Sequence, residues 1–328
     1  MKTVLFYSPH CGLRGTEVTM FDFADYNEKI LGNKSIIAYN RDEPINHPDA
    51  IRKFNDRFDT VIDLPISSKV ESTKINQHLN DAIEKVGASH FYLQKLGFND
   101  GVCPTACKTC ILCCTLLNPD EHRHGDRYAF ISPWLSKVCS GGKTPVVPSI
   151  VYLPDIQGDM REELGIPKNA IVFGRSGGED TWNIPWTNKV IEQMLIIRPD
   201  IYFLFQNTPN VPKHDRIIHV PASADMTLKV KFINTCDAML HSRFEGESFG
   251  VSCGEFSIRN KRVITYGQAR ERNHIETLRD KGIYFNSPEE LYTILATFKP
   301  DHTQDWNCYR DYEPEPVMRI FDKEFLSA

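Results

Sequence analysis

Short apolar runs alternate with amphipathic stretches along almost the whole of this 328-residue chain. In the first half the runs are TVLFYS (3–8), SIIAYN (35–40), TVIDL (60–64), HFYLQKL (90–96), ILCCTLL (111–117) and YAFIS (128–132), with helical patterns at 16–30, 47–57 and 71–86. Within the last of these, Ile75, Leu79, Ala82, Ile83 and Val86 recur at the helical period and mark one buried face. A Gly- and Pro-rich stretch, SGGKTPVVPSIVYLP (140–154), then reads as a hinge. The alternation restarts beyond it. Strands are predicted at 170–175, 201–207, 216–221, 238–243, 262–266 and 282–286, with helices at 185–198, 225–235, 249–259, 271–281 and 288–298, and one more over 315–326. Strands alternating with helices imply βαβ units and mainly parallel sheets. The chain is long enough for about two domains. Two α/β domains would bind a ligand beyond the carboxyl ends of their strands, in the cleft where they face each other.

Composition narrows the function classes. The formal charge is −5 and no basic run stands out, which argues against a nucleic-acid partner. A small phosphorylated ligand needs only a local cation and some backbone amides, so that class stays open. MKTVLFYSPH is too short in its apolar part for a secretory signal, and no window approaches the ~18 apolar residues of a membrane span. Five of the ten cysteines fall between Cys103 and Cys114, unlike a secreted disulfide framework, so a cytoplasmic, reducing location is expected.

The richest stretch is RFEGESFGVSCGEFS (243–257), set between the strands AMLHSR and RVITY. The turn after the first of these strands is expected to open a helix near Glu247 and Ser248. Free amides at a helix start favour an anion such as a diphosphate. Ser248 is a capping residue type, and Gly250 permits close approach to the backbone. Glu255 would lie two turns in, roughly 10 Å along the axis, beside a ribose whose two hydroxyls its carboxylate can accept. GESFGVSCGEF resembles the Glu-x7-Glu motif of retaining GT-B-fold glycosyltransferases, especially family four. The resemblance implies two Rossmann-like domains facing each other across a cleft: 1–150 on the acceptor side, 151–300 binding a nucleotide-sugar, and 301–328 as a tail helix crossing back to the first domain. It also implies that Glu247 contacts the donor sugar, Phe249 and Gly250 the sugar and phosphates, and Glu255 the ribose.

IVFGRSGGEDT (171–181) ends a strand at Gly174-Arg175. Arginine suits a bidentate grip on phosphate, and Gly177 and Gly178 supply amides. The family places such an arginine on the donor diphosphate and usually adds a lysine five or six residues on; here Asp180 and Thr181 stand there instead. YSPHCGLRGTEV (7–18) follows the first strand and matches the family's Gly-rich loop loosely, through Gly12, Gly15, Thr16 and Glu17. It is not G-x-G-x-x-G, so a nicotinamide cofactor is disfavoured. Many family members carry a His in the first domain near the donor sugar. The strand ILCCTLL has none, leaving His122 or His124 from the next loop, and His124 is the candidate. Four thiolates at Cys103, Cys107, Cys110 and Cys113 could hold zinc. Cys113 and Cys114 also sit within an apparent strand, where cysteine packs as a small apolar residue.

The expectation is therefore a retaining, metal-independent transferase with no cofactor, taking a UDP- or GDP-sugar donor and a glycan acceptor. Arg175, Glu247 and His124 are assigned to catalysis. Gly15, Gly177, Gly178, Ser248, Phe249, Gly250 and Glu255 are assigned to the nucleotide-sugar. Two alternatives stay open: a nucleotide-sugar epimerase of the same fold, and a non-catalytic nucleotide-sugar binder.

Overall fold

The computed structural model describes residues 1–12 and 15–327. Leu13 and Arg14 of the Gly12–Gly15 loop, and Ala328, lie outside the described residues. The chain divides into two units, Met1–Ile150 with Tyr312–Ala328, and Val151–Asp311.

In the first unit, strands β1 (Thr3–Ser8), β2 (Lys34–Asn40), β3 (Val61–Leu64), β4 (His90–Lys95), β5 (Lys108–Cys113) and β6 (Arg127–Phe130) form one sheet in the order β3-β2-β1-β4-β5-β6, all parallel. Helices α1 (Gly15–Lys29), α2 (Pro48–Arg57), α3 (Ser72–Val86), α4 (Pro119–His122) and α5 (Pro133–Ser140) connect or follow them. The strands are continuous apolar runs because both faces of a parallel sheet are covered; Val4, Leu5, Phe6 and Tyr7 are all buried. On α3, Ile75, Leu79, Ala82 and Ile83 are buried.

In the second unit, β7 (Ile171–Ser176), β8 (Ile201–Gln206), β9 (Ile217–Val220), β10 (Ala238–His241), β12 (Arg262–Tyr266) and β14 (Ile283–Phe285) form a parallel sheet ordered β14-β12-β10-β7-β8-β9. A separate two-stranded pair joins β11 (Gly246–Glu247) to β13 (Glu271–Arg272). The helices are α6 (Thr187–Ile197), α7 (Met226–Thr235), α8 (Val251–Ile258), α9 (Asn273–Leu278) and α10 (Pro288–Thr297). One core cluster packs α6 and α10 on the sheet through Ile191, Met194, Leu291 and Leu295 against Phe173, Phe203, Leu240 and Tyr266. Both sheets have the doubly wound order, in which the chain reverses direction across the sheet between the first and fourth strands.

Helix α11 (Pro314–Phe321) and a π turn at Asp322–Leu326 close the chain within the first unit. Phe321 sits 4.9 Å from Phe23 and 5.5 Å from Tyr92 between ring centroids.

Four expectations need correction. The tail begins later than 301, because residues 301–311 belong to the second unit: the Trp306 carbonyl accepts from Ser257 Oγ at 2.9 Å, and buried Tyr309 packs on Phe249. Strand β5 starts at Lys108 and ends at Cys113, earlier than the apolar run 111–117. Its register with β4 ends at the Lys95–Cys113 pair, so residues beyond lack a partner strand. Helix α5 was not anticipated, although Ser132 caps it, accepting from the Leu135 amide at 3.2 Å, and Pro133 opens it. Finally, α8 begins at Val251, not near Ser248; Gly250 is its cap residue.

Candidate functional site

The second sheet reverses between β7 and β10, and the expected motifs converge on the carboxyl ends of these two strands. Arg175, near the end of β7, is only 2% exposed. Its guanidinium does not project outward. It donates to the Asn207 carbonyl at 3.1 Å, the Gly178 carbonyl at 2.8 Å, Thr181 Oγ1 at 2.5 Å and Thr208 Oγ1. Burial pulls its pKa down to about 10. Asn207 Nδ2 in turn donates to the Gly177 carbonyl at 2.9 Å. The Gly177-Gly178 turn thus has its carbonyls tied inward, and among the described residues its two amides have no hydrogen-bond partner. Arg175, expected to grip the diphosphate directly, thus has its guanidinium hydrogen-bonded to the Gly177-Gly178 loop and the segment after β8.

At the end of β10, His241 Nε2 lies 3.0 Å from Glu247 Oε1, so that nitrogen carries a proton toward the carboxylate. The Thr265 hydroxyl lies 2.8 Å from His241 Nδ1 and 3.1 Å from His274 Nε2. Arg243 adds an ion pair to Glu247 at 2.9 Å. Burial works against charge on Glu247, yet the His241 hydrogen bond and the Arg243 charge hold its carboxyl at about 2. Burial pushes His274 down to about 3, so it stays neutral. Glu247 is positioned by β11, whose pairing with β13 requires Gly246: at φ +77° a Cβ there would lie 2.1 Å from the Glu271 carbonyl oxygen.

Glu255 is the fifth residue of α8, about 6 Å from its start at 1.5 Å per residue. It is 4% exposed and pairs with Lys229 of α7 at 2.7 Å. This buried pair joins two helices that flank β10. Gly250 has φ +93° and caps α8 without a side-chain bond, so Ser248 does not cap this helix. Phe249 is buried and its ring packs edge-on against Tyr309, with centroids 6.1 Å apart.

Gly15 is the exposed first residue of α1, in the other unit. Beside it Glu17 is buried and paired with His10, and Thr16 Oγ1 donates to Glu17 at 2.7 Å. His124 also lies in the first unit. Its Nδ1 is 2.8 Å from the His122 carbonyl and its Nε2 2.9 Å from Lys95 Nζ, so both ring nitrogens are engaged, and burial lowers its pKa. Cys103, Cys107, Cys110 and Cys113, the four thiols that could have held zinc, do not gather as a ligand group. Among the described residues no three His, Cys, Asp or Glu side chains come together as a metal site. Cys110 and Cys113 are buried in β5, where their thiols approach the carbonyls of Phe325 and Leu96, each at 3.3 Å. No helix among the described residues is long and apolar enough to cross a membrane.

Sequence reasoning missed Lys229, Asn207, Thr208 and His274. Lys229 is 26 residues from Glu255, and only the packing of α7 beside α8 joins them.

No protein-family model matches the chain, and no curated protein matches it. Solved structures do resemble it along nearly its full length. A glycosyltransferase from Rickettsia africae has a TM-score of 0.65 at 14% identity, over 99% of this chain and 94% of its own. HepE of Anabaena in complex with UDP-glucose has a TM-score of 0.68 at 12% identity, covering 99% and 96%. The UDP-GlcNAc 2-epimerase of Neisseria meningitidis, bound to UDP-GlcNAc, has a TM-score of 0.63 at 11% identity, covering 99% of both. The fold is GT-B-like. At these identities the likeness concerns architecture alone. Two six-stranded parallel sheets of doubly wound order are what this GT-B-like chain has in common with transferases and epimerases alike.

Proposed function

We propose that this protein is a glycosyltransferase that moves a sugar from a UDP- or GDP-sugar to a hydroxyl of a glycan or glycoconjugate acceptor. The reading rests on one observation. At the switch point of the second sheet, the amides of Gly177 and Gly178 follow β7, while Glu247, the start of α8 and Glu255 follow its parallel neighbour β10, each carboxylate already matched to a cation. Anion-ready amides beside fixed carboxylates suit a diphosphate flanked by two polyhydroxylated sugars. In this reading the diphosphate lies on the loop amides and the α8 start. Lys229 supplies the cation that the sequence lacks after Arg175, turning from Glu255 to phosphate as the ribose hydroxyls take its place. Glu247, held by His241 and Arg243, faces the transferred sugar.

Transfer lengthens the anomeric C–O bond as charge builds on the leaving phosphate. Positive potential fixed at that phosphate stabilises the transition state. We further propose retention of configuration, with the leaving phosphate oxygen taking the acceptor proton, and no metal requirement. The first unit is read as the acceptor side, and the ten free cysteines suit a reducing cytoplasm.

Epimerisation is the second reading, because a 2-epimerase bound to UDP-GlcNAc has a similar fold. Incubation with UDP-glucose, UDP-GlcNAc and GDP-mannose, with and without a panel of glycan acceptors, separates the two. Acceptor-dependent nucleotide release with a new glycoside is the expected result. A donor whose sugar is inverted at one carbon, with no nucleotide released, would replace the transferase by an epimerase.

A further inference from the structure

We infer that Phe244 is the floor of a subsite for a neutral hexopyranose, the sugar carried by the donor; this rests on the nucleotide-sugar reading above. The residue is 58% exposed, whereas most aromatic residues of this unit are buried. It is nevertheless fixed. Its backbone amide donates to Asn183 Oδ1 at 2.8 Å, and the ring stacks on Tyr266 with centroids 5.7 Å apart and planes at 22°. Tyr266 is in turn backed by Phe285 at 6.0 Å. A flat apolar face held rigid in water, on a loop at the functional end of a sheet, is a surface shaped to be covered.

The surroundings define what covers it. Glu245, the next residue, accepts from Asn183 Nδ2 at 2.8 Å through one oxygen. Its carboxyl lies below the ordinary range, first because of that Asn183 bond, so it stays ionised. A pyranose has a face of C–H groups and a rim of hydroxyls. An aromatic floor with a carboxylate at its edge matches both, the carboxylate accepting hydroxyl protons while the ring meets the C–H face. The same negative charge opposes a sugar acid, which makes the ligand a neutral hexose or N-acetylhexosamine.

Position assigns it to the donor. Phe244 lies three residues before Glu247 on the loop leaving β10, and it rests on Tyr266, a member of the core cluster beneath α6 and α10. The Glu255–Lys229 pair belongs to α8 and α7, whose side chains lie outside that cluster. A nucleotide with its ribose at Glu255 and its diphosphate across the strand ends brings its sugar to Glu247, and Phe244 is next along that line.

The test compares affinities, by isothermal titration, for UDP and UDP-glucose and for GDP and GDP-mannose. The proteins are the native chain, Phe244→Ala and Phe244→Tyr. Phe244→Ala should leave the bare nucleotide unchanged and raise the ratio of sugar-nucleotide Kd to nucleotide Kd roughly fivefold; Phe244→Tyr should restore it. UDP-glucuronic acid should bind the native protein more weakly than UDP-glucose. An unchanged ratio in Phe244→Ala, or equal loss for nucleotide and sugar-nucleotide, overturns the subsite while the nucleotide reading stands. Failure of the native protein to bind any of these nucleotides overturns that reading, and the subsite with it.

Discussion

Glu247 and His274 are two titratable groups held far from their usual values by one hydrogen-bonded network. Both shifts are downward, to about 2 and about 3, and both make acid destabilising. Below its ordinary pKa of 6.5, His274 would take a proton in the unfolded chain that the folded site refuses, so stability present above pH 6.5 is lost on acidification toward 3. For Glu247, stability present above 4.5 is lost as pH falls toward 2. Urea unfolding followed by tryptophan fluorescence should therefore show the second unit weakening from pH 6.5 to 4.5, by up to about 1.4 kcal/mol per pH unit for His274. Three of the four tryptophans, Trp182, Trp186 and Trp306, lie in that unit. His274→Gln should flatten this limb; a native profile flat over the same range would contradict the network. At this scale the sequence was partly readable. The pattern of Glu247, Gly250 and Glu255 marks a turn and helix whatever the family. What it hid was the direction of side chains. Arg175 points into its own loop because four hydroxyl and carbonyl acceptors from two segments surround it, and no spacing rule encodes that.

Elements were the most legible level, because a run buried on both faces leaves a compositional trace that partners cannot erase. Every strand of the two large sheets corresponds to an apolar run, and boundaries moved where pairing ended, as at Cys113. The two-residue strands β11 and β13 left no trace, since two residues cannot show a period, and Gly246 creates their contact. Helix α11 had an apolar stripe, and its role follows from where that stripe lies. Phe321 stacks 6.1 Å from Phe6 and packs on Phe23 and Tyr92, while Phe325 reaches Tyr92 at 5.9 Å. Phe321→Ala removes a fully buried ring and should cost roughly 3–5 kcal/mol. Differential scanning calorimetry should show the first unit melting at lower temperature. An unchanged melting profile would mean that the tail is not part of that unit's core.

Across the whole molecule, the same strand order appears twice, and the two copies carry different chemistry. In the second unit the switch point holds an amide loop, a helix start and a buried Glu255–Lys229 pair. In the first, it holds the His10–Glu17 pair at the end of β1 and the Lys95–His124 contact at the end of β4. That division, with nucleotide chemistry assigned to one copy and the acceptor to the other, is the molecule-scale form of the proposed function. Isothermal titration of UDP and GDP into the native protein and into Glu255→Gln tests it most directly. The account predicts that the native chain binds at least one of the two. It also predicts that Glu255→Gln binds that nucleotide roughly tenfold or more weakly, as expected for loss of charge-assisted bonds to the ribose. Native protein that binds neither nucleotide, or a variant that binds as tightly as native, would contradict it.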